Sequence, residues 1–133
     1  MSRALGDGGM PLLGQLGLCF ERYGEGWVEA TWVPTELAGN PVGTVHGGVY
    51  AVVHDAAMNF ATSSALERGE HGATVSISYA TMRSARPGDR LSVRGEVVRL
   101  TRQLAYLETR ITAEGGEVVS TASGTFLLRR RDG

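Results

Sequence analysis

The feature that most constrains the fold is a long apolar segment that directly follows a glycine-rich turn. The turn runs from Asn40 to Gly48, and the segment continues to Leu66. Almost every position between 49 and 61 is apolar, and a helix with almost no polar face is normally buried. The segment is too short and too interrupted to cross a membrane. The pattern predicts a long helix, from about Gly47 to Leu66, at the centre of the fold.

The start of this helix provides a potential site for an oxygen atom that carries negative charge. The first N–H groups of a helix have no partner within the helix and lie at the positive end of its dipole. Gly47 and Gly48 have no side chains, so another molecule can come close to the backbone there. The turn therefore predicts an oxyanion hole at the tip of the helix.

Asp55 is the polar exception in the apolar segment, with His54 before it and Asn59 one turn after it. A buried carboxylate without a partner is costly, and Asp55 lies too deep in the helix to be an N-cap. A structural pairing, with Asn59 or an arginine, and a chemical role are equally favoured here. Gly47 and Asp55 lie about 12 Å apart along one helix. The chemical role therefore predicts a dimer in which a second, antiparallel helix supplies the aspartate.

Composition limits the remaining possibilities. The 133 residues fit one domain, 1–133, in which 1–14 form a loosely ordered or short helical lead-in. The net charge of −1 argues against general attraction to nucleic acid or membranes. Cys19 is the only cysteine, so no intrachain disulfide can form. Without a signal-peptide pattern or a spanning segment, we expect a cytoplasmic protein. We predict neither a metal site nor a bound cofactor.

Strand patterns lie on both sides of the helix. Alternation from 16 to 20 and β-branched and aromatic residues from 27 to 33 predict a first hairpin. Four more strands follow the helix, and we expect them in hairpin succession. In the first of these, Val75, Ile77 and Tyr79 should share one face. This order predicts an α+β domain, with the helix on one face of an antiparallel sheet. The free sheet edges also favour a dimer.

A family resemblance rests on Asn40, Gly43, the triplet His46–Gly48 and Asp55 in this spacing. The pattern resembles the hotdog-fold acyl-CoA thioesterases, in the subgroup of the phenylacetate-pathway thioesterase and thioesterase superfamily member 2. The turn at 86–89 and the segment at 118–126 resemble that family's third-strand turn and last strand. The resemblance covers about residues 15–128. It implies a hotdog fold, in which a five- to six-stranded antiparallel sheet wraps around the long helix.

The resemblance also implies an activity, the hydrolysis of an acyl-CoA thioester, with CoA present only as part of the substrate. Gly47 would donate its N–H to the thioester carbonyl oxygen. Asp55 of the facing subunit would act as a general base on water or as a nucleophile. Asn40 would position the water or the carboxylate, and His46 would order the turn by bonding to backbone.

Further site residues and partners follow from the same resemblance. A hydroxyl near the attacking water would come from Thr74. Other hotdog thioesterases have a threonine one helical turn after their acid, and this alternative position is occupied here by Asn59. Gly48 and Asn59 would contact the substrate, and Arg83 and Arg86 could bind its phosphates, although solvated surface charge is the alternative role for these arginines. The family implies a homodimer that assembles into a homotetramer.

Two other functions compete with hydrolysis. A hotdog dehydratase or hydratase would use a catalytic histidine paired with an acid, but His46 is already needed for the glycine turn. A non-catalytic hotdog protein that binds acyl-CoA would keep the pocket without needing an acid on the helix. Asp55 argues against this second alternative.

Overall fold

A computed structural model describes residues 5–131 of the chain. Within that range, six strands form one antiparallel sheet and one long helix packs against a face of it. Residues 1–4 of the predicted lead-in and residues 132–133 of the predicted domain lie outside the described residues. The elements in chain order are α1 (Pro11–Gln15), β1 (Leu18–Gly24), β2 (Trp27–Trp32), a 3₁₀ turn (Glu36–Ala38), α2 (Gly47–Ser64), β3 (His71–Thr81), β4 (Leu91–Leu100), β5 (Leu104–Ala113) and β6 (Val118–Arg129).

The predicted long helix is confirmed as α2, which begins at Gly47 and ends two residues earlier than predicted, at Ser64. Its N-cap is His46, whose side chain accepts a hydrogen bond from the helix backbone. One side of α2 is buried against the sheet. The opposite side is only half-buried, and it carries Val52, Asp55, Ala56 and Asn59. The helix is therefore incompletely covered by its own chain.

The strand order is β1-β2-β4-β5-β6-β3, and every neighbouring pair is antiparallel. The α+β class is confirmed, but the predicted hairpin succession of the last four strands is wrong at its first step. The chain leaves α2 at the far edge of the sheet, where β3 pairs with β6. It then returns to the middle, where β4 pairs with β2. Periodicity within a strand carries no information about which strand it pairs with, so only tertiary packing decides this order.

The faces of the two central strands agree with their sequence alternation. Leu91, Val93 and Gly95 of β4 are buried, while the residues between them are exposed. Gly95 is required by the close approach of the helix, because a Cβ there would lie 3.1 Å from the carbonyl oxygen of Ala57. The helix therefore lies on a glycine at the centre of the sheet.

A β-bulge in β3 overturns one prediction about its faces. Thr74 pairs with Phe126 and Ser76 pairs with Thr125, so Val75 is an extra residue without a partner on β6. Because a bulge shifts the alternation by one residue, Thr74 shares the helix-facing side with Ile77 and Tyr79. The prediction that Val75 would share that side is therefore wrong, and its side chain is 60% exposed.

The two edges of the sheet differ in how they are covered. On β1, the N–H and C=O of Phe20 both bond to the backbone of Gly6, at 2.7 and 2.9 Å. On β3, nearly every residue is exposed, and its outer edge has no strand partner within residues 5–131. In the same range, no helix is long and apolar enough to span a membrane.

Candidate active site

The tip of α2 is held by His46, which uses its own ring to cap the helix. Its Nδ1 accepts a hydrogen bond from the N–H of Gly48 at 2.9 Å, and its carbonyl accepts from the N–H of Val49 at 3.0 Å. A Cβ on Gly48 would lie 3.2 Å from Cε1 of His46. Glycine at position 48 therefore lets the histidine ring lie against the first turn.

Gly47 differs from Gly48 both in the hydrogen bonding of its N–H and in the space beside its Cα. Its N–H has no hydrogen-bond partner in the described part of the chain, and a Cβ added there would meet no atom within 4 Å. The described packing therefore does not require glycine at this position. The free N–H and the clear space beside it suit the approach of an oxygen atom from another molecule.

Tyr79 is a residue near the helix tip that sequence reasoning missed as a site member. Its hydroxyl donates a hydrogen bond to the carbonyl oxygen of Gly47 at 3.1 Å, and its side chain remains 40% exposed. The alternation of β3 placed Tyr79 on a face with Ile77, but it gave no sign of this hydroxyl contact. Tyr79 thereby links the β3 edge of the sheet to the start of the helix.

Asn40 organises the loop that leads to the helix tip. Its Oδ1 accepts hydrogen bonds from the N–H groups of Val42 and Thr44, both at 3.1 Å, and its Nδ2 donates to Oγ1 of Thr44 at 2.8 Å. Gly43, which lies between Val42 and Thr44, has a φ of +87°, a conformation that suits glycine. The asparagine side chain is thus engaged with its own loop, and its predicted contact with water or a carboxylate stays a prediction.

Asp55 and Thr74 form the second part of the site. Oγ1 of Thr74 donates a hydrogen bond to Oδ1 of Asp55 at 2.7 Å. The carboxylate is half-buried, whereas the threonine is exposed. The β3 bulge creates this pair because it turns Thr74 toward the helix. The alternative position for a hydroxyl, one turn further along α2, is occupied by Asn59, which forms no hydrogen bond to Asp55.

His54 lies beside Asp55 in sequence but points into the core. Its Nε2 lies 2.8 Å from Oγ of Ser120, its Nδ1 is hydrogen-bonded with the hydroxyl of Thr109, and the side chain is fully buried. Burial lowers the pKa of His54 from 6.5 to about 4. A neutral, sealed imidazole between two hydroxyls holds the helix to the sheet and has no access to a substrate.

Comparison with known proteins decides the family. A sequence model described as the thioesterase superfamily matches residues 42–120, which include the helix tip, Asp55 and Thr74. The chain belongs to the thioesterase superfamily. The resemblance drawn from the residues of the glycine turn is thereby confirmed at the level of the family.

Relatives and solved structures that are similar to this chain agree with the fold. A Pseudomonas aeruginosa protein named "putative esterase" is 32% identical over 89 residues, which is 67% of this chain and 66% of that protein. A thioesterase from Haemophilus influenzae has a TM-score of 0.82 at 24% identity, over 90% of this chain and 82% of its own. The Escherichia coli PaaI protein of the phenylacetic acid degradation operon has a TM-score of 0.81 at 21% identity, over 94% and 87%.

One further similar structure contains a ligand. A hypothetical thioesterase from Streptococcus pneumoniae, solved with coenzyme A, has a TM-score of 0.78 at 24% identity, over 86% of this chain and 87% of its own. These likenesses confirm the hotdog arrangement, a long helix against a six-stranded antiparallel sheet.

The two arginines predicted to bind phosphates lie in the segment between β3 and β4. Arg83 forms an ion pair with Glu117, which occupies its guanidinium. Arg86 begins a turn in which its N–H donates to Oδ2 of Asp89 at 2.9 Å. The neighbouring Ala85 holds this segment close to the helix tip through a bond from its N–H to the hydroxyl of Tyr50, at 3.0 Å. The predicted contact of each arginine with a phosphate stays a prediction.

No described set of three or more histidine, cysteine, aspartate or glutamate side chains is grouped as metal ligands would be. Within one chain the functional groups fall into two clusters: the amide of Gly47 at the helix tip, and Asp55 with Thr74 two turns along. Eight residues of helix, about 12 Å, separate these clusters.

Proposed function

We propose that this protein hydrolyses acyl-CoA thioesters to a free acid and CoA. The observation that carries the proposal is the hydrogen bond between Asp55 and Thr74 on the half-buried side of α2. In residues 5–131 the carboxylate has no cationic partner, so an ion pair does not account for an acid at this point of an apolar helix. Membership of the thioesterase superfamily and the coenzyme A in the Streptococcus pneumoniae structure support a CoA ester as the substrate.

The reaction uses one cluster from each of two chains. The thioester carbonyl oxygen accepts a hydrogen bond from the N–H of Gly47, which stabilises the negative charge that develops there. Asp55 of a second copy takes a proton from water while the water oxygen bonds to the carbonyl carbon. The carbon–sulfur bond then breaks, and the CoA thiolate takes up a proton. In the alternative course, Asp55 attacks the carbonyl itself and water hydrolyses the mixed anhydride.

The exposed edge of β3 supports a homodimer of this kind. A long strand with free N–H and C=O groups is a template for pairing with another chain. Val75 and Tyr79 leave apolar surface exposed on this strand. Beside it lies the half-buried side of α2 with Asp55, so a second copy at this edge would bring the two helices side by side. Each helix tip would then face the carboxylate of its neighbour.

The two competing functions have less support. A dehydratase needs an accessible imidazole that transfers protons, whereas His54 is sealed between Thr109 and Ser120 and Nδ1 of His46 caps the helix. A protein that only binds acyl-CoA has no use for a carboxylate held by a threonine hydroxyl. The experiments below separate this last case from hydrolysis, because a binding protein would release no CoA.

The helix tip allows a test that removes only the amide hydrogen. Gly47 is the first residue of α2, a position that favours proline, and His46 has φ −59° and ψ 131°, which a following proline accepts. Gly47→Pro deletes the N–H, whereas Gly47→Ala keeps it and meets no atom within 4 Å. Losing one oxyanion donor should lower kcat about 100- to 1,000-fold in Gly47→Pro. Gly47→Ala should stay within a few-fold of the parent.

Mixed assemblies test whether the site is shared. Gly47→Pro and Asp55→Asn chains are each expected to be inactive alone, measured by release of free CoA from a panel of acyl-CoAs. Mixed dimers retain one intact site out of two, so refolding the variants together in equal amounts should restore about a quarter of the parent activity, since about half of the dimers are mixed. Mixtures no more active than the separate variants would refute the shared site.

A further inference from the structure

Gly47, whose N–H is the proposed oxyanion donor, has no steric restraint from neighbouring segments. A Cβ added there would meet no atom within 4 Å, and glycine has the widest choice of backbone conformations. A donor works in an oxyanion hole only if its N–H already points to the place where negative charge develops. The direction of this N–H must therefore be fixed by hydrogen bonds to the peptide groups on either side of Gly47.

The two peptide groups that flank Gly47 are held in different ways. In the first, the carbonyl of His46 accepts a hydrogen bond from the N–H of Val49 at 3.0 Å. In the second, side chains bind both ends of the peptide group. The N–H of Gly48 donates to Nδ1 of His46 at 2.9 Å, and the carbonyl of Gly47 accepts from the hydroxyl of Tyr79 at 3.1 Å. Within residues 5–131, Tyr79 alone holds this second group from outside the helix and its turn.

The hydroxyl of Tyr79 acts on the donor and does not replace it. A phenol has one proton, and here that proton goes to the carbonyl of Gly47, so it is not available to the oxygen of a thioester. In the regular pattern of α2 the same carbonyl accepts from the N–H of Ala51, and a carbonyl oxygen can accept two hydrogen bonds. Tyr79 therefore adds a hydrogen bond without breaking one of the helix.

The strand that carries Tyr79 is itself tied to α2. The carbonyl of the next residue, Ala80, accepts a hydrogen bond from Oγ of Ser120 at 3.0 Å. The same Oγ lies 2.8 Å from Nε2 of His54 in the core. Gly47 and His54 are seven residues apart on α2, about 10 Å along its axis. Hydrogen bonds and backbone therefore form a closed circuit from His54 across β6 and β3 and back to the helix tip.

We propose that Tyr79 is the positioning residue of the oxyanion hole. Its hydroxyl holds the peptide group that follows Gly47, so that the N–H of Gly47 points to the carbonyl oxygen of the thioester. This role rests on the proposed hydrolysis and adds a residue to the same site. Tyr79 serves the donor and Thr74 serves the acid, so one strand, β3, positions both halves of the proposed chemistry.

Tyr79→Phe tests this role, because it removes the hydroxyl and keeps the ring. The direction of the donor matters most in the transition state, so we expect kcat to fall about 3- to 10-fold while KM stays within about two-fold of the parent. Tyr106→Phe is the matched control, the same substitution at a tyrosine that is 37% exposed on β5, and it should keep the parent kcat. Initial rates of CoA release over a series of acyl-CoA concentrations measure both constants.

A double-mutant cycle separates positioning from a general structural role. In Gly47→Pro the N–H is absent, so the hydroxyl of Tyr79 has no donor to orient. Adding Tyr79→Phe to Gly47→Pro should therefore lower kcat by less than about two-fold. On the background of Gly47→Ala, which keeps the N–H, the loss should again be about 3- to 10-fold. A tyrosine that only stabilised the fold would cost the same factor on every background.

Two results would overturn the role of Tyr79. The first is an equal kcat for Tyr79→Phe and Tyr106→Phe. The second is a loss of kcat that is as large on the Gly47→Pro background as in the parent. Both leave the proposed hydrolysis intact, because the parent still releases CoA. A parent that released no CoA from any member of the acyl-CoA panel would instead refute the hydrolysis, and the role of Tyr79 with it.

Discussion

The carboxylate of Asp55 is hydrogen-bonded by Thr74, a residue 19 positions further along the chain. A half-buried aspartate on an apolar helix lowers the stability of the fold unless its carboxylate is hydrogen-bonded. The hydroxyl of Thr74 donates to only one of the two carboxylate oxygens. The other oxygen remains available to a water molecule on the half-buried side of the helix. His54, the next residue back, shows the contrasting solution, since both ring nitrogens bond to hydroxyls inside the core. His54 and Asp55, although adjacent in sequence, therefore lie on different faces of α2: His54 faces the core and Asp55 faces the half-buried side.

The hydroxyl of Thr74 should be tested with an isosteric change. Thr74→Val removes the hydrogen bond to Asp55 and keeps the shape of the side chain, and a hydrogen bond to a charged group contributes about 1.5–3 kcal/mol. If the hydroxyl positions the base in the transition state, kcat should fall about 10- to 100-fold. Thr74→Ser retains the hydroxyl and should remain close to the parent. Equal rates of CoA release for the valine and serine variants would contradict the role of Thr74.

The buried imidazole of His54 should make stability depend on pH. Its pKa is about 4 in the folded state and 6.5 in the unfolded chain, so the unfolded state binds more protons between these values. The stabilisation is complete above pH 6.5 and declines as the pH falls toward 4. Between pH 7.5 and pH 5, His54 should reduce the free energy of unfolding by about 2 kcal/mol.

Chemical denaturation at several pH values measures this effect. His54→Gln cannot titrate and should lose most of the decline between pH 6.5 and 5. The control is His71→Gln, the same substitution at an exposed position on β3. A parent protein with the same slope as His54→Gln would contradict this prediction, because it would show that the imidazole binds protons equally well in the folded and unfolded chain.

At the scale of the elements, one glycine and one bulge determine how α2 and its acid lie against the sheet. Gly95 lets the backbone of the helix lie close to β4, and the bulge at Val75 turns Thr74 toward the helix. Neither feature belongs to the helix itself, yet both determine where its acid is placed. The alternation of β4 and β5 was predictable because one face of each strand is buried in the core and the other is exposed to water. This difference determines the residue pattern of each strand independently of its neighbours.

Gly95→Ala should destabilise the fold more than an ordinary glycine substitution. The new Cβ would lie 3.1 Å from the carbonyl oxygen of Ala57 and 3.1 Å from Cγ2 of Thr109, and the helix backbone cannot easily move away. Overpacking of this kind costs about 1–3 kcal/mol of unfolding free energy. Gly115→Ala is the matched control, because its nearest neighbour would be Oε1 of Glu117 at 3.8 Å. Denaturant titrations at one protein concentration compare the two, and equal midpoints would refute the close contact.

At the scale of the whole molecule, residues 5–131 leave a strand edge, a helix side and the outer sheet face uncovered. The helix side and the β3 edge adjoin each other and contain the groups proposed for catalysis. The outer face of the sheet lies on the side opposite to α2.

A site shared between two chains should lose activity on dilution. Specific activity per chain should fall by half when half of the edge-to-edge dimer has dissociated, because a lone chain holds the oxyanion donor and the base about 12 Å apart. Mass photometry and CoA release at matched nanomolar concentrations provide the two curves. Activity per chain that stays constant where the protein is entirely monomeric would contradict the shared site.

The sequence by itself determined the helix, the glycine tip, the fold class and the alternating faces of the central strands. Hydrophobic periodicity and capping act over a few residues, so these features can be predicted from short stretches of sequence. The distance between Gly47 and Asp55 follows from helix geometry alone. The tertiary structure alone decided the strand order, the partner of Asp55 and the contact of Tyr79 with the helix tip. A bulge and a pairing partner depend on which segments meet across the sheet, because hydrogen bonds between distant strands, rather than local preference, choose the register.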